Sequence, residues 1–157
     1  MNLQIIPGRT KAKTAAFDVA VKLLLNGNTP VINVSEALTA FNQAIFLDAR
    51  EFPEYQVSHL YNARHVGAKK FKPGTIADLS LTQPLIVYCS IGKRSDTVTQ
   101  QLISAGYQDV RNLYGGIFEW VNYGHPVYDH HDQLTEAVHA YNSIWGKWLE
   151  KGIKIYD

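Results

Sequence analysis

The only cysteine in the sequence, Cys89, is the side chain best suited to act as a nucleophile. It follows the apolar run Leu85–Tyr88, which predicts a buried strand, and it precedes a polar loop that leads into a predicted helix. The residues of this loop are Ser90, Ile91, Gly92, Lys93, Arg94 and Ser95, with Ser95 expected to begin the helix. A thiol in this place faces free backbone amides and the positive end of a helix dipole. These surroundings, with two cations, favour the thiolate, which is the nucleophilic form.

A single cysteine at a strand end can also be a small buried apolar residue without chemistry. The loop after Cys89 argues against this interpretation, because serine, glycine, lysine and arginine are too polar and too cationic for a core. Gly92 allows the backbone to curl around the sulfur without a side-chain clash. We therefore expect Cys89 to be functional and residues 90–95 to bind its substrate.

Alternating strands and helices are predicted to position this loop. The five predicted strands are Val31–Asn33, Ala44–Leu47, Ala63–Val66, Leu85–Tyr88 and Val110–Leu113, each separated by helical or turn sequence. Continuous apolar runs are typical of strands that are covered on both faces. The pattern predicts an α/β fold with an open, mainly parallel sheet of about five strands and helices on both faces.

This domain is expected to span residues 31–128, between an N-terminal helical extension at 1–30 and a C-terminal helical extension at 129–157. The C-terminal helix is predicted from apolar residues at alternating steps of four and three, namely Leu134, Val138, Tyr141, Trp145 and Trp148. We expect this stripe to pack on the domain, with a dimer interface or a membrane contact as alternatives.

Composition and charge narrow the functional classes. With 157 residues, 46% of them hydrophobic and 18% charged, the chain is expected to form one globular domain. Fifteen basic against fourteen acidic residues give a net charge of +1, which does not favour a nucleic-acid partner. The sequence has no apolar stretch of the roughly 18 residues that a membrane span requires. The start MNLQIIPGR does not resemble a signal peptide, so a cytoplasmic location is expected, although an exported protein without its signal peptide would look the same.

No metal site is predicted. A single cysteine excludes intrachain disulfides and sites that need several thiolates. His130 and His131 are adjacent, but the sequence offers no third ligand at a suitable spacing, so they are interpreted as solvated loop residues.

Three motifs follow one another between Ile45 and Pro126. The first has an Asp-x-Arg, a Glu-Tyr and a His-centred turn, which are Asp48-Ala49-Arg50, Glu54-Tyr55 and Ser58-His59-Leu60. The second is the cysteine loop after its strand, Cys89 to Arg94, and the third is the double glycine of Tyr114-Gly115-Gly116 followed by Trp120. Together, over the run from Ile45 to Pro126, these motifs resemble the rhodanese family.

The resemblance implies sulfur transfer by a single-domain sulfurtransferase. Cys89 would take the outer sulfur of a donor such as thiosulfate as a persulfide and pass it to cyanide, to a small thiol or to a protein acceptor. Backbone amides of residues 90–95 would stabilise the persulfide, and Arg94 with Lys93 would hold the anionic donor. No metal or organic cofactor is implied.

Two other functions are consistent with the same sequence pattern. One is a rhodanese-like module that binds partners without catalysis. The other is a phosphatase or an arsenate reductase. A resemblance to the related dual-specificity phosphatases and arsenate reductases would imply five residues between the cysteine and the arginine, whereas four residues separate Cys89 from Arg94 here. The polar residues Asp48, Arg50, Glu54 and His59 are expected to fix loops near the site rather than to take part in catalysis.

Overall fold

The structure, a computed structural model, describes residues 12–157. Within this range the α-helices are α1 Ala15–Leu24, α2 Val34–Thr39, α3 Phe52–Val57, α4 Lys93–Ser104 and α5 Gly116–Asn122, and the 3-10 turns are Pro73–Ile76 and Gly146–Trp148. The strands are β1 Val31–Ile32, β2 Ile45–Asp48, β3 Arg64–His65, β4 Leu85–Tyr88, β5 Val110–Leu113, β6 Val127–Tyr128, β7 Leu134–Thr135, β8 Ala137–His139 and β9 Ile153–Ile155.

The first five strands form one parallel sheet in the order β1-β5-β4-β2-β3. Strand β4 is central, with β2 and β5 as its neighbours, and all four of its residues are buried. Continuous burial explains why this strand is apolar throughout, since both of its faces are covered. The predicted parallel α/β sheet is thus confirmed.

Alternate residues of β4 pack into two separate cores, one on each face of the sheet. Ile86 and Tyr88 lie in the core that contains Phe17 of α1 and Phe118 of α5. Leu85 and Val87 lie in the other core, where Val98 and Leu102 of α4 pack. The sheet therefore carries helices on both faces, and the polar loop after Tyr88 emerges at its carboxyl edge.

Part of the predicted N-terminal helical extension, residues 1–30, is seen as α1. Residues 1–11 of this extension lie outside the described residues. The side chain of Thr14 caps α1 by accepting a hydrogen bond from the Phe17 amide at 3.3 Å. The Phe17 ring stacks on Trp148 from the C-terminal segment, with ring centroids 5.6 Å apart. The two ends of the described chain thus meet on the same core.

The predicted C-terminal helix is wrong. Residues 129–157 instead form short strands, with β8 parallel to β9, and the 3-10 turn between them. Two local features prevent a helix: Tyr141 has φ 70°, and the Asn142 side chain accepts hydrogen bonds from the amides of Ile144 and Trp145. The segment does pack on the domain, because Val138, Ala140 and Leu149 are buried in the core that also contains Phe17.

No helix within residues 12–157 is both long enough and apolar enough to span a bilayer.

Candidate active site

Cys89 lies directly after β4, and the chain then turns into α4 at the carboxyl edge of the sheet. Helix α4 begins at Lys93, two positions before the predicted Ser95, because Gly92 serves as its N-cap with φ 126°. A residue with a side chain would be strained at this φ, so Gly92 sets the place where the loop ends. The thiol is therefore held at the N-terminus of a helix of twelve residues.

The sulfur of Cys89 is near two hydrogen-bonding groups. The Gly92 amide donates to Sγ at 3.1 Å, and the Ser95 hydroxyl lies 3.3 Å from Sγ. The sequence predicted several amide donors, whereas among the described residues only Gly92 provides one.

Asn112 of β5 determines how the Ser95 hydroxyl is oriented. Its amide nitrogen donates to the Gly92 carbonyl at 2.8 Å, so its oxygen faces Ser95 and accepts from that hydroxyl at 2.6 Å. The shorter of the two hydroxyl contacts is thus with Asn112 and not with the sulfur of Cys89. Sequence analysis missed Asn112, because β5 also contains Arg111 and a second polar residue in this strand did not stand out.

The double glycine anchors the other side of the loop. The first amides of α5 donate to the carbonyls of the thiol loop, Ile117 to Cys89 at 3.0 Å and Phe118 to Ser90 at 3.1 Å. Gly116 has φ 59°, and a Cβ at this position would lie 2.5 Å from both carbonyl oxygens. Only glycine permits this close approach between α5 and the loop.

Arg94 is paired with Glu54 of α3. Its Nη1 donates to Oε2 of Glu54 at 2.7 Å, and its Nη2 donates to Oε1 at 3.0 Å and to the Ser90 hydroxyl at 3.0 Å. Burial lowers the pKa of Arg94, but the hydrogen bond to Glu54 and the nearby negative charges raise it overall. The guanidinium borders the site with its charge largely compensated by Glu54. The role implied by the family resemblance, in which Arg94 holds an anionic donor, stays a prediction.

Glu54 is buried and ionised in this pair. Burial raises its pKa, but the hydrogen bond and charge of Arg94, with the charge of Arg50, lower the pKa below its ordinary value. Its Oε2 also accepts a hydrogen bond from the Glu51 amide at 2.8 Å, which caps α3. Glu54, which was expected to fix loops near the site, therefore contacts the site through its hydrogen bonds with Arg94.

The remaining polar residues predicted near the site are placed behind it. Asp48 and Arg50 form a fully buried ion pair at 2.6 Å, and Arg50 donates to the Ser58 carbonyl at 2.7 Å. The His59 ring stacks on Tyr55, with centroids 3.9 Å apart. These contacts join the loops after β2 and α3, and none of these three polar residues lines the cavity at Cys89.

A cavity of about 430 Å³ opens above the thiol. Its described walls come from the thiol loop, from α1, α4 and the segment before the first 3-10 turn, and from the C-terminal segment: Leu24, Ala68, Lys69, Cys89, Ser90, Ile91, Lys93, Arg94, Thr97, Tyr141 and Trp145. Cys89 is 1% exposed, so a reactant must enter this cavity to reach the sulfur. Sequence analysis missed Tyr141 and Trp145 as site residues because it assigned them to a packed helix.

The Tyr141 ring lies at the mouth of the cavity, with its centroid 4.9 Å from Cζ of Arg94. The Tyr141 amide donates to Nδ1 of His139 at 3.1 Å, so Nε2 of this histidine carries its hydrogen toward Asp157, at 2.8 Å. His139 is buried and its Nδ1 lies 3.9 Å from Oε1 of Glu54. The C-terminal segment thus contacts the Glu54 and Arg94 pair through the Tyr141 ring, which lies over the Arg94 guanidinium.

Metal binding finds no geometric support in the described part of the chain. Within residues 12–157 no cluster of three or more histidine, cysteine, aspartate or glutamate side chains has the arrangement of a metal site.

Comparison with known proteins identifies the family. The model of the rhodanese-like domain matches residues 22–123, which is more than half of the chain, so the protein belongs to the rhodanese-like domain family. The thiosulfate sulfurtransferase GlpE of Coxiella burnetii is 31% identical over 85 residues, covering 54% of this chain and 78% of that protein.

Solved structures agree with this assignment. A rhodanese-related protein from Thermoplasma volcanium is similar with a TM-score of 0.55 and 24% identity, covering 62% of this chain and 96% of that chain. Thiosulfate sulfurtransferase from Pseudomonas aeruginosa is similar with a TM-score of 0.58 and 27% identity, covering 67% of this chain and 21% of that longer chain. The predicted rhodanese resemblance and fold are confirmed.

Proposed function

We propose that the protein is a sulfurtransferase that carries sulfane sulfur as a persulfide on Cys89. The donor is a compound such as thiosulfate, and the acceptor is cyanide or a thiol. The observation that carries this proposal is the placement of the Cys89 sulfur on the floor of a cavity, at the N-terminus of α4 and 3.1 Å from the Gly92 amide. Relatives named thiosulfate sulfurtransferase support it at the level of the family.

In the first displacement the thiolate of Cys89 attacks the outer sulfur of thiosulfate. The bond between Sγ and that sulfur forms while the sulfur-sulfur bond of thiosulfate breaks, and the electron pair leaves with sulfite. The Gly92 amide and the dipole of α4 stabilise the negative charge of the thiolate and of the persulfide. Lys93, which is exposed and lines the cavity, attracts the dianionic donor.

In the second displacement the acceptor attacks the terminal sulfur of the persulfide. The bond from Sγ to the terminal sulfur breaks, and its electron pair returns to Cys89 as the thiolate. Cyanide yields thiocyanate, and a thiolate yields a new persulfide. Neither displacement needs a metal or an organic cofactor, because Cys89 itself carries the sulfur.

Initial rates of thiocyanate formation, with thiosulfate and cyanide both varied, test this function. The proposal predicts parallel double-reciprocal lines, which indicate two displacements through a covalent intermediate. Cys89→Ser should abolish the rate while its circular dichroism spectrum stays that of the wild type. A wild-type rate no higher than the uncatalysed reaction would contradict the proposal.

An aryl phosphate assay on the same preparations separates the other functions. Phosphate release that depends on Cys89 would indicate a phosphatase, although the four-residue spacing from Cys89 to Arg94 opposes it. Absence of both activities would favour a rhodanese-like binding module.

A further inference from the structure

The upper wall of the cavity is apolar and comes partly from outside the residues that match the family. Tyr141 and Trp145 lie beyond residues 22–123, and they line the same cavity as Leu24 of α1 and Ile91 of the thiol loop. We infer that this wall selects organic acceptor thiols whose sulfur carries an apolar group about the size of a phenyl ring. The inference rests on the proposed function, because it concerns the second displacement at Cys89.

The electrostatics of the site favour an apolar acceptor. Arg94 is neutralised by two hydrogen bonds to the Glu54 carboxylate, so it offers little net charge to a polar substituent. The two lysines of the cavity, Lys69 and Lys93, are exposed, and Lys69 has Glu51 at 3.6 Å. Water and salt screen such exposed charges. The apolar side chains of the cavity therefore contribute more to the binding of an acceptor than its lysines do.

The size of the cavity agrees with an organic reactant. About 430 Å³ is in the range of sites for small organic ligands, and it greatly exceeds what cyanide needs. The Cys89 side chain is 1% exposed, so an acceptor must place its sulfur deep in the cavity. Its substituent would then lie beside Tyr141 and Trp145, which line the cavity.

Tyr141 is 45% exposed, and its backbone and its ring each have a contact that positions it. An aromatic residue rarely adopts a φ of 70°, and here the Tyr141 amide is held in place by Nδ1 of His139 at 3.1 Å. The ring also lies over the Arg94 guanidinium at 4.9 Å. A strained residue that is held on two sides presents a preorganised aromatic surface to the acceptor.

The selected step is the attack of the acceptor thiolate on the terminal sulfur of the Cys89 persulfide. A bond forms between the acceptor sulfur and the terminal sulfur, and the bond to Sγ breaks with its electron pair returning to Cys89. The products are the acceptor persulfide and the free thiolate of Cys89, so no oxidant or reductant is consumed.

The test compares two thiols of similar acidity, phenylmethanethiol and 2-mercaptoethanol. The protein is loaded with thiosulfate, freed of excess donor and mixed with either thiol, and loss of the added sulfur is followed by intact mass after acid quenching. At equal thiolate concentration, we expect phenylmethanethiol to react on the order of tenfold faster with the wild-type protein. Tyr141→Ala and Trp145→Ala should each reduce this ratio severalfold, whereas Tyr141→Phe should keep it.

Ile144→Ala is the matched control, because Ile144 lies in the same segment, is 67% exposed and does not line the cavity. It should leave the ratio unchanged. Equal rates for the two thiols, or a ratio unaffected by both alanine variants, would overturn the inference while leaving sulfur transfer intact. Failure of the wild-type protein to gain sulfur from thiosulfate would instead refute the proposed function, and the inference with it.

Discussion

Replacement of Gly116 by alanine tests whether the double glycine holds the thiol loop in place. Gly116 has φ 59°, and a Cβ there would lie 2.5 Å from the carbonyl oxygens of Cys89 and Ser90. Both carbonyls accept hydrogen bonds from the first amides of α5, so neither can move away without losing a bond. The substitution should therefore disturb the fold and the site together.

The expected loss of stability has two parts. A left-handed backbone costs a residue with a side chain about 1 kcal/mol, and forcing buried backbone apart costs about 1 to 3 kcal/mol. We expect Gly116→Ala to lower the free energy of unfolding by about 3 kcal/mol, a large share of the roughly 5 to 15 kcal/mol typical of a domain.

Urea unfolding of wild-type, Gly116→Ala and Gly74→Ala proteins measures this loss. Gly74 is the matched control, since a Cβ there would meet nothing within 4 Å, and its variant should stay within about 0.5 kcal/mol of the wild type. Thiocyanate formation by Gly116→Ala should also fall in conditions where the variant is folded. A variant as stable and as active as the wild type would refute the role assigned to Gly116.

Two further predictions concern the carboxylates. Burial raises the pKa of Glu119 to about 7, although the Lys13 amide donates a hydrogen bond to this carboxylate. Because this pKa lies above the ordinary value of 4.5, the protonated form of Glu119 stabilises the fold fully below pH 4.5. This contribution to the free energy of unfolding is lost as the pH rises through 7. Measured by urea unfolding between about pH 5 and about pH 8, the free energy of unfolding of Glu119→Gln should decrease by about 2 to 3 kcal/mol less than that of the wild type. The same pH dependence in both proteins would contradict this prediction. Glu54→Gln leaves the charge of Arg94 uncompensated beside the cavity. The KM for thiosulfate should therefore fall about fivefold in steady-state assays. An unchanged or higher KM would show that Arg94 does not face the donor.

The parallel sheet could be predicted because its signal is local. Strands such as β4 are continuous apolar runs, and burial on both faces of a sheet demands that composition. The thiol loop was predictable for the same reason, since a cysteine, a glycine and two cations follow a buried strand within a few residues. Local sequence thus located the thiol of Cys89 and the edge of the sheet where it lies.

The C-terminal segment could not be predicted in this way. Apolar residues at steps of four and three are typical of a helix. In the structure, however, Val138 is buried as part of strand β8, and Leu134 of β7 is 69% exposed. The φ of Tyr141 and its hydrogen bond to His139 override the periodicity. Tertiary contacts of this kind have no signal in the spacing of apolar residues.

Partners that are distant in sequence were also beyond prediction. Glu54 and Arg94 were both recognised as residues near the site, but their pairing depends on α3 and α4 meeting in space. Asn112 fixes the Ser95 hydroxyl through the neighbouring strand β5. These contacts decide how charge is distributed around Cys89, and they follow from the strand order rather than from any motif.

Intact mass spectrometry after treatment with thiosulfate tests the central claim most directly. We predict that the wild-type protein gains one sulfur atom, that Cys89→Ser gains none, and that cyanide removes the added sulfur as thiocyanate appears. A wild-type protein that gains no sulfur although Cys89 reacts with an alkylating agent would contradict persulfide formation from thiosulfate. A thiol that reacts with neither reagent would contradict a nucleophilic role for Cys89.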